Sequence, residues 1–222
     1  MTDFLARLKA AFPEETYSNT FRALREGVAL ADDTVKGLPI FDSPIGRDLR
    51  GLIRRAGVLH RIHAMCVAGD LPFKSAVLQM PRGSWHWLEV YSTNIIAHPV
   101  RSQDPTSFPE DTPNRQDQRL RNQPDLFDDE KVVPITGEIT MYAWLCYGVS
   151  RNGAITHACW NMPSAGEEEW LARINISKFV RESDASTTLT KPIKLDPKNA
   201  LSFREEVLES LEKDKHEEDE EG

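Results

Sequence analysis

The hydrophobic period of this chain changes at Pro72, and that change limits what it can fold into. Upstream, apolar residues recur at three- and four-residue steps, the spacing of one helix face. Residues 3–11 place Phe4, Leu5, Leu8 and Ala11 on one side, and residues 16–30 repeat Tyr17, Phe21 and Leu24 at helical spacing. Gly37, Pro39, Pro44 and Gly46 then mark a loop. The strongest helical pattern covers residues 47–67. There Leu49, Leu52, Ala56 and Leu59 define the expected inward stripe, and Gly69-Asp70 supplies a stop. Arg47, Arg50, Arg54 and Arg61 fall on the expected outward face.

Downstream of Pro72 the runs are short and rich in β-branched and aromatic residues. Residues 73–80, 85–91 and 94–100 read as an antiparallel meander. Residues 138–149 and 154–160 flank Arg151-Asn152-Gly153, and Asn-Gly tolerates the positive φ of a tight hairpin turn. Residues 171–176 supply a further strand. Trp85 and Trp87 alternate by two, as do Ile139, Met141, Ala143 and Leu145. Each set predicts one face turned to a core beneath the 47–67 helix. The expected fold is α+β: a mostly antiparallel sheet packed by an N-terminal helical segment, with a long disordered loop and an acidic C-terminal tail.

The loop is residues 101–134, which hold five of the fourteen prolines together with eight acidic and five basic side chains. Such a composition offers too little apolar surface to offset its ordering entropy. The expected organisation is a single domain, residues 1–203, interrupted by that loop, and a tail at 204–222. The tail carries ten acidic residues against Arg204, Lys213 and Lys215, a net of −7 out of the formal −8. Residues 1–203 are therefore nearly neutral, and the overall charge says little about their partners. A 40% hydrophobic content in 222 residues suffices for one sizeable core. No apolar run matches a bilayer span, and the first residues lack a secretory pattern. Cys66, Cys146 and Cys159 make an odd set without paired spacing, which points to reduced thiols in a cytoplasmic protein.

Inside the polar segment, the large apolar side chains before Val132 are Phe108, Leu120, Leu126 and Phe127. The last two are adjacent and follow a glutamine at a fixed offset, in Gln123-Pro124-Asp125-Leu126-Phe127. On a flexible tether, a Leu-Phe pair is a candidate docking peptide. The pattern resembles the short peptide by which bacterial replication and repair proteins bind the β sliding clamp (DNA polymerase III subunit beta). Gln123, Asp125, Leu126 and Phe127 match that peptide; Pro124 departs at its more permissive second place. The resemblance implies that Leu126 and Phe127 fill an apolar pocket, that Gln123 hydrogen-bonds at the neighbouring subsite, and that Asp125 shapes the peptide. It extends to a smaller class, the SocB-type toxins of toxin–antitoxin pairs, which block replication by occupying the clamp. The partners this implies are the clamp, an antitoxin acting as protease adaptor, and an ATP-dependent protease. No membrane partner and no direct DNA contact are expected. Two other readings stand beside it: a clamp-tethered DNA-processing enzyme such as a nuclease, and an interaction protein whose loop serves another partner.

Candidates for chemistry are sparse. His60, His63 and Cys66 advance in three-residue steps on one helix, which spreads them around its surface and disfavours a metal site. His157 and Cys159 share a strand face but lack an orienting third group in the sequence. Glu89, Glu138 and Lys74 invite comparison with metal-dependent nucleases, yet the expected Asp…Glu-x-Lys spacing is absent, because Glu89-Val90 is followed by Tyr91. No cofactor, metal or catalytic residue is expected. The Arg47, Arg50, Arg54 and Arg61 face is a possible second partner surface or phosphate-binding surface.

Overall fold

The computed structural model describes residues 3–80, 85–122 and 141–183. They belong to a compact unit, Met1–Ala185. The expected tail, residues 204–222, lies outside the described residues.

Three helices open the chain: α1 (Phe4–Ala11), α2 (Tyr17–Val35) and α3 (Pro44–Val67). Local chemistry sets their starts. Asp3 Oδ1 accepts from the Ala6 N–H at the first turn of α1. Ser43 caps α3 through Gly46, with Pro44 at the first helical position, where its missing N–H costs nothing. Six strands follow, β1 (Lys74–Gln79), β2 (His86–Ser92), β3 (Ile95–Arg101), β4 (Met141–Val149), β5 (Ile155–Pro163) and β6 (Trp170–Asn175). They form one sheet in sequence order. Neighbours pair antiparallel except β3 with β4, which run parallel. The α+β expectation and the mostly antiparallel sheet are therefore observed. The Asn-Gly hairpin is present between β4 and β5, with Gly153 at φ 88°.

One face of the sheet meets α1, α2 and α3 over a continuous core that includes Leu8, Phe12, Leu24, Val58, Leu88, Val90, Leu145 and Trp160. The helix α5 (Ile176–Ser183) follows β6 and packs Phe179 near Tyr17, ring centroids 5.1 Å apart. α2 and α3 cross with their backbones in contact: a Cβ on Gly57 would lie 2.3 Å from the Gly27 carbonyl oxygen. In an ordinary helix interior, Gly→Ala stabilises by up to about 1 kcal/mol. Here the sign inverts, because backbone cannot yield as a side chain does. Gly57→Ala is expected to destabilise by about 1–3 kcal/mol, read as a lower urea midpoint at unchanged slope.

Three expectations are corrected. First, α3 turns most of its expected inward stripe outward, although Leu59 packs against the core as expected. Leu49 and Leu52 are 40% and 47% exposed, and Ala56 is exposed, whereas Val58, Ile62 and Met65 are buried. The inward face also carries Arg54 and Arg61, which pairing with carboxylates makes compatible with burial. Second, Trp87 does not join the helix-covered core. It lies on the other face of the sheet beside His98, and Trp85 is 57% exposed. Leu88 and Val90 fill the core instead. Third, residues 101–122 are not a flexible loop. They lie over the second face of the sheet, where Val100, Tyr142, Trp144 and Cys146 form a separate cluster with Phe108 and Trp170. A short helix α4 (Pro113–Arg119) is part of this cover. The β4 alternation holds as expected: Met141, Ala143 and Leu145 lie in the helix-covered core, and the intervening Tyr142, Trp144 and Cys146 fill the second face.

Candidate functional site

Gln123, Pro124, Asp125, Leu126 and Phe127 lie outside the described residues, which end at Asn122 on that side. Asn122 is itself a fixed point. It is 1% exposed, and its amide Nδ2 donates to the carbonyls of Tyr142 and Pro163, each at 2.8 Å. Its Oδ1 accepts from the Tyr142 N–H at 2.8 Å. One side chain thus ties the chain to the start of β4 and the end of β5. Arg119, 5% exposed, adds a second tie. It donates to Asp111 at 2.7 Å and to the carbonyls of Ala165 and Glu167, and its guanidinium sits 5.0 Å from the Phe108 ring. The matched peptide therefore begins one residue past a side chain held by three buried hydrogen bonds. Sequence composition conceals this, since an isolated Asn, Arg and Phe among prolines read as loop.

The four arginines of α3 do not form one cationic face. Arg54 makes two bonds to Asp32, at 2.7 and 2.9 Å, and donates to the carbonyls of Ser150 and Arg151. It staples α2, α3 and the β4–β5 hairpin together. Arg61 is bound to Glu26 at 2.7 Å. Arg50 lies 3.8 Å from Asp42, and Arg47 reaches back to the Ser43 carbonyl at 3.4 Å. Two of the four charges are thus neutralised inside the protein and unsuited to binding phosphate or an acidic partner.

On the second face of the sheet, strand register assembles a polar chain from Tyr142, His98, Glu89 and Tyr91. The Tyr142 hydroxyl lies 2.7 Å from His98 Nδ1, and His98 Nε2 lies 3.4 Å from Glu89 Oε1. When Tyr142 donates to Nδ1, the ring proton sits on Nε2 and points at Glu89. The Tyr91 hydroxyl donates to the other carboxylate oxygen. The bond from His98 holds the Glu89 carboxyl below its usual range, against the opposing effect of burial. Burial, and then Glu89, push Tyr91 up to about 12. Both oxygens of Glu89 meet polar partners within the chain, and Lys74 is in register with Tyr91 rather than with Glu89. Glu138 lies outside the described residues. Among the described residues, no three His, Cys, Asp or Glu side chains converge as a metal cluster. His63 hydrogen-bonds Ser75 at 2.8 Å. Cys146 and Cys159 are buried register partners on β4 and β5.

A second pair escaped the sequence reading. Ser102 Oγ lies 2.8 Å from His157 Nε2, and Thr156 Oγ1 lies 3.0 Å from Nδ1. The ring rests on Gly148, where a Cβ would come within 2.2 Å of its Cε1. A cavity of about 210 Å³ is lined by Pro105, Thr156, His157, Asn175, Ser177 and Lys178. Ser102 is not in that lining and is 6% exposed, so the pair acts as a buried joint between the crossover and β5 rather than an open nucleophile.

Burial lowers the proton affinity of His157 below its ordinary value of 6.5, with Asp104 pulling the other way. A histidine depressed in the folded state binds its proton more readily when unfolded. Its contribution is present above 6.5 and is lost as pH falls below that value. The urea midpoint is expected to fall between pH 7 and pH 5.5, and to fall less in His157→Gln. Parallel pH profiles of the two proteins would contradict this.

No helix among the described residues is long and apolar enough to cross a membrane. No protein-family model, curated protein or solved structure matches the chain.

Proposed function

We propose that this chain docks on the bacterial β sliding clamp through Gln123, Pro124, Asp125, Leu126 and Phe127 and blocks replication by occupying the groove that polymerase needs. The observation that carries the reading is the peptide itself, Gln-x-Asp-Leu-Phe, placed directly after the anchored Asn122. Leu126 and Phe127 enter an apolar pocket, and Gln123 hydrogen-bonds beside it. Pro124 narrows the conformations of the free peptide and so lowers the ordering cost on binding. Asp128, Asp129 and Glu130 follow immediately and favour solubility of the unbound segment.

The action is occupancy and needs no chemistry from the chain's own residues. Potency then follows affinity for the ring and the amount of protein. Control of that amount by an antitoxin adaptor and an ATP-dependent protease belongs to the same proposal, through the resemblance to SocB-type toxins. The test is clamp-dependent primer extension with purified polymerase. Added chain is expected to slow extension, and excess clamp to restore it. Inhibition that excess clamp fails to relieve would count against the reading.

A further inference from the structure

The outward face of α3 is apolar. Ile45, Leu49, Leu52 and Ala56 fall within about 60° of arc on the helix. The three large side chains are 75%, 40% and 47% exposed, and Ala56 is exposed. The preceding turn, Pro39–Asp42, adds Ile40 at 61% exposure on one shoulder, beside Gly46. A contiguous stripe of this kind on a helix marks an interaction surface.

We propose that the stripe is a homodimer interface in which α3 packs antiparallel against α3 of a second copy. The charges on the other shoulder choose this occupant. Asp48 is exposed and Arg55 half-exposed, both on the shoulder away from Ile40. An isologous antiparallel pair brings like shoulders together. With the two-fold axis at the middle of the stripe, Leu49 meets Leu52 of the second copy, and Ile45 meets the small Ala56. In that register Asp48 lies about 3 Å along the axis from Arg55 of the second copy, at 1.5 Å rise per residue. The same contact repeats across the axis. One patch is thus complementary to itself in both side-chain size and charge. The inference does not depend on clamp docking, and its failure would leave that reading untouched.

Sedimentation and light scattering on the full chain test it. Wild type is expected to show twice the 25.2 kDa chain mass at high concentration. Leu52→Asp, at a half-exposed position, is expected to return the mass to one chain with an unchanged circular dichroism spectrum. Asp48→Arg or Arg55→Asp alone is expected to weaken the dimer about tenfold, because two contacts turn from attraction to repulsion. Mixing the two variants places every Arg opposite an Asp, and heterodimers are expected to form preferentially. A wild type of single-chain mass at every concentration overturns the proposal. So does a dimer indifferent to Leu52→Asp, or a mixture that forms no heterodimer.

Discussion

Leu126→Ala/Phe127→Ala is expected to abolish measurable binding to purified clamp, with a loss of at least about 30-fold in affinity. Burying one Leu and one Phe side chain is worth roughly 3–6 kcal/mol before ordering costs. A short peptide also pays for its own ordering and for lost rotational and translational freedom, so its affinity is expected to be micromolar at best, with these two side chains supplying much of it. Removing both side chains then leaves almost nothing. Gln123→Ala removes one hydrogen bond to a neutral group, worth about 0.5–1.5 kcal/mol, and is expected to weaken binding by no more than about tenfold. The measurement is fluorescence polarisation of a labelled clamp ligand, displaced by each variant of the full chain. Equal displacement by wild type and by the double variant would remove the clamp from consideration. The order of effects matters as much as their size. If Gln123→Ala cost more than the double variant, a polar site rather than an apolar pocket would be the receptor.

How far the chain could be read beforehand depended on where each element draws its stability. α1, α2, α3 and the strands were legible because their apolar residues recur at the period of the element. The hairpin was legible because Asn152-Gly153 carries its own turn chemistry. The inward face of α3 was not. Arg54 and Arg61 looked outward by polarity, and only the tertiary fold brings Asp32 and Glu26 to them. The order of residues 101–122 escaped for a related reason. Its anchors are single residues, Phe108, Arg119 and Asn122, whose partners lie across the sheet on Trp170, Ala165 and Tyr142. No local pattern encodes such contacts. The polar chain from Tyr142 through His98 to Glu89 needs three strands in register, which sequence spacing cannot supply. The Gln123–Phe127 pattern is the opposite case: a linear motif carries its proposed chemistry in consecutive residues, so the resemblance is read without the fold.

Trp160→Ala separates these two kinds of information. Trp160 is 1% exposed and stacks on Phe12 with ring centroids 3.8 Å apart, while Phe73 meets both rings edge-on. This aromatic trio joins the end of α1 and the start of β1 to the centre of β5. Truncation empties the volume of a fully buried Trp, and backbone held in the sheet on both sides cannot collapse into the space. The expected loss is about 3–5 kcal/mol. For a domain of this size that lowers the melting temperature by about 6–20 °C, measurable by calorimetry. Clamp docking should respond differently, because the contacts proposed for it are confined to residues 123–127. Well below its own melting temperature, the Trp160→Ala chain is expected to bind clamp within about twofold of wild type. Binding that declined in step with stability would mean that the folded body supplies part of the contact, and that a docking peptide alone does not describe the interaction.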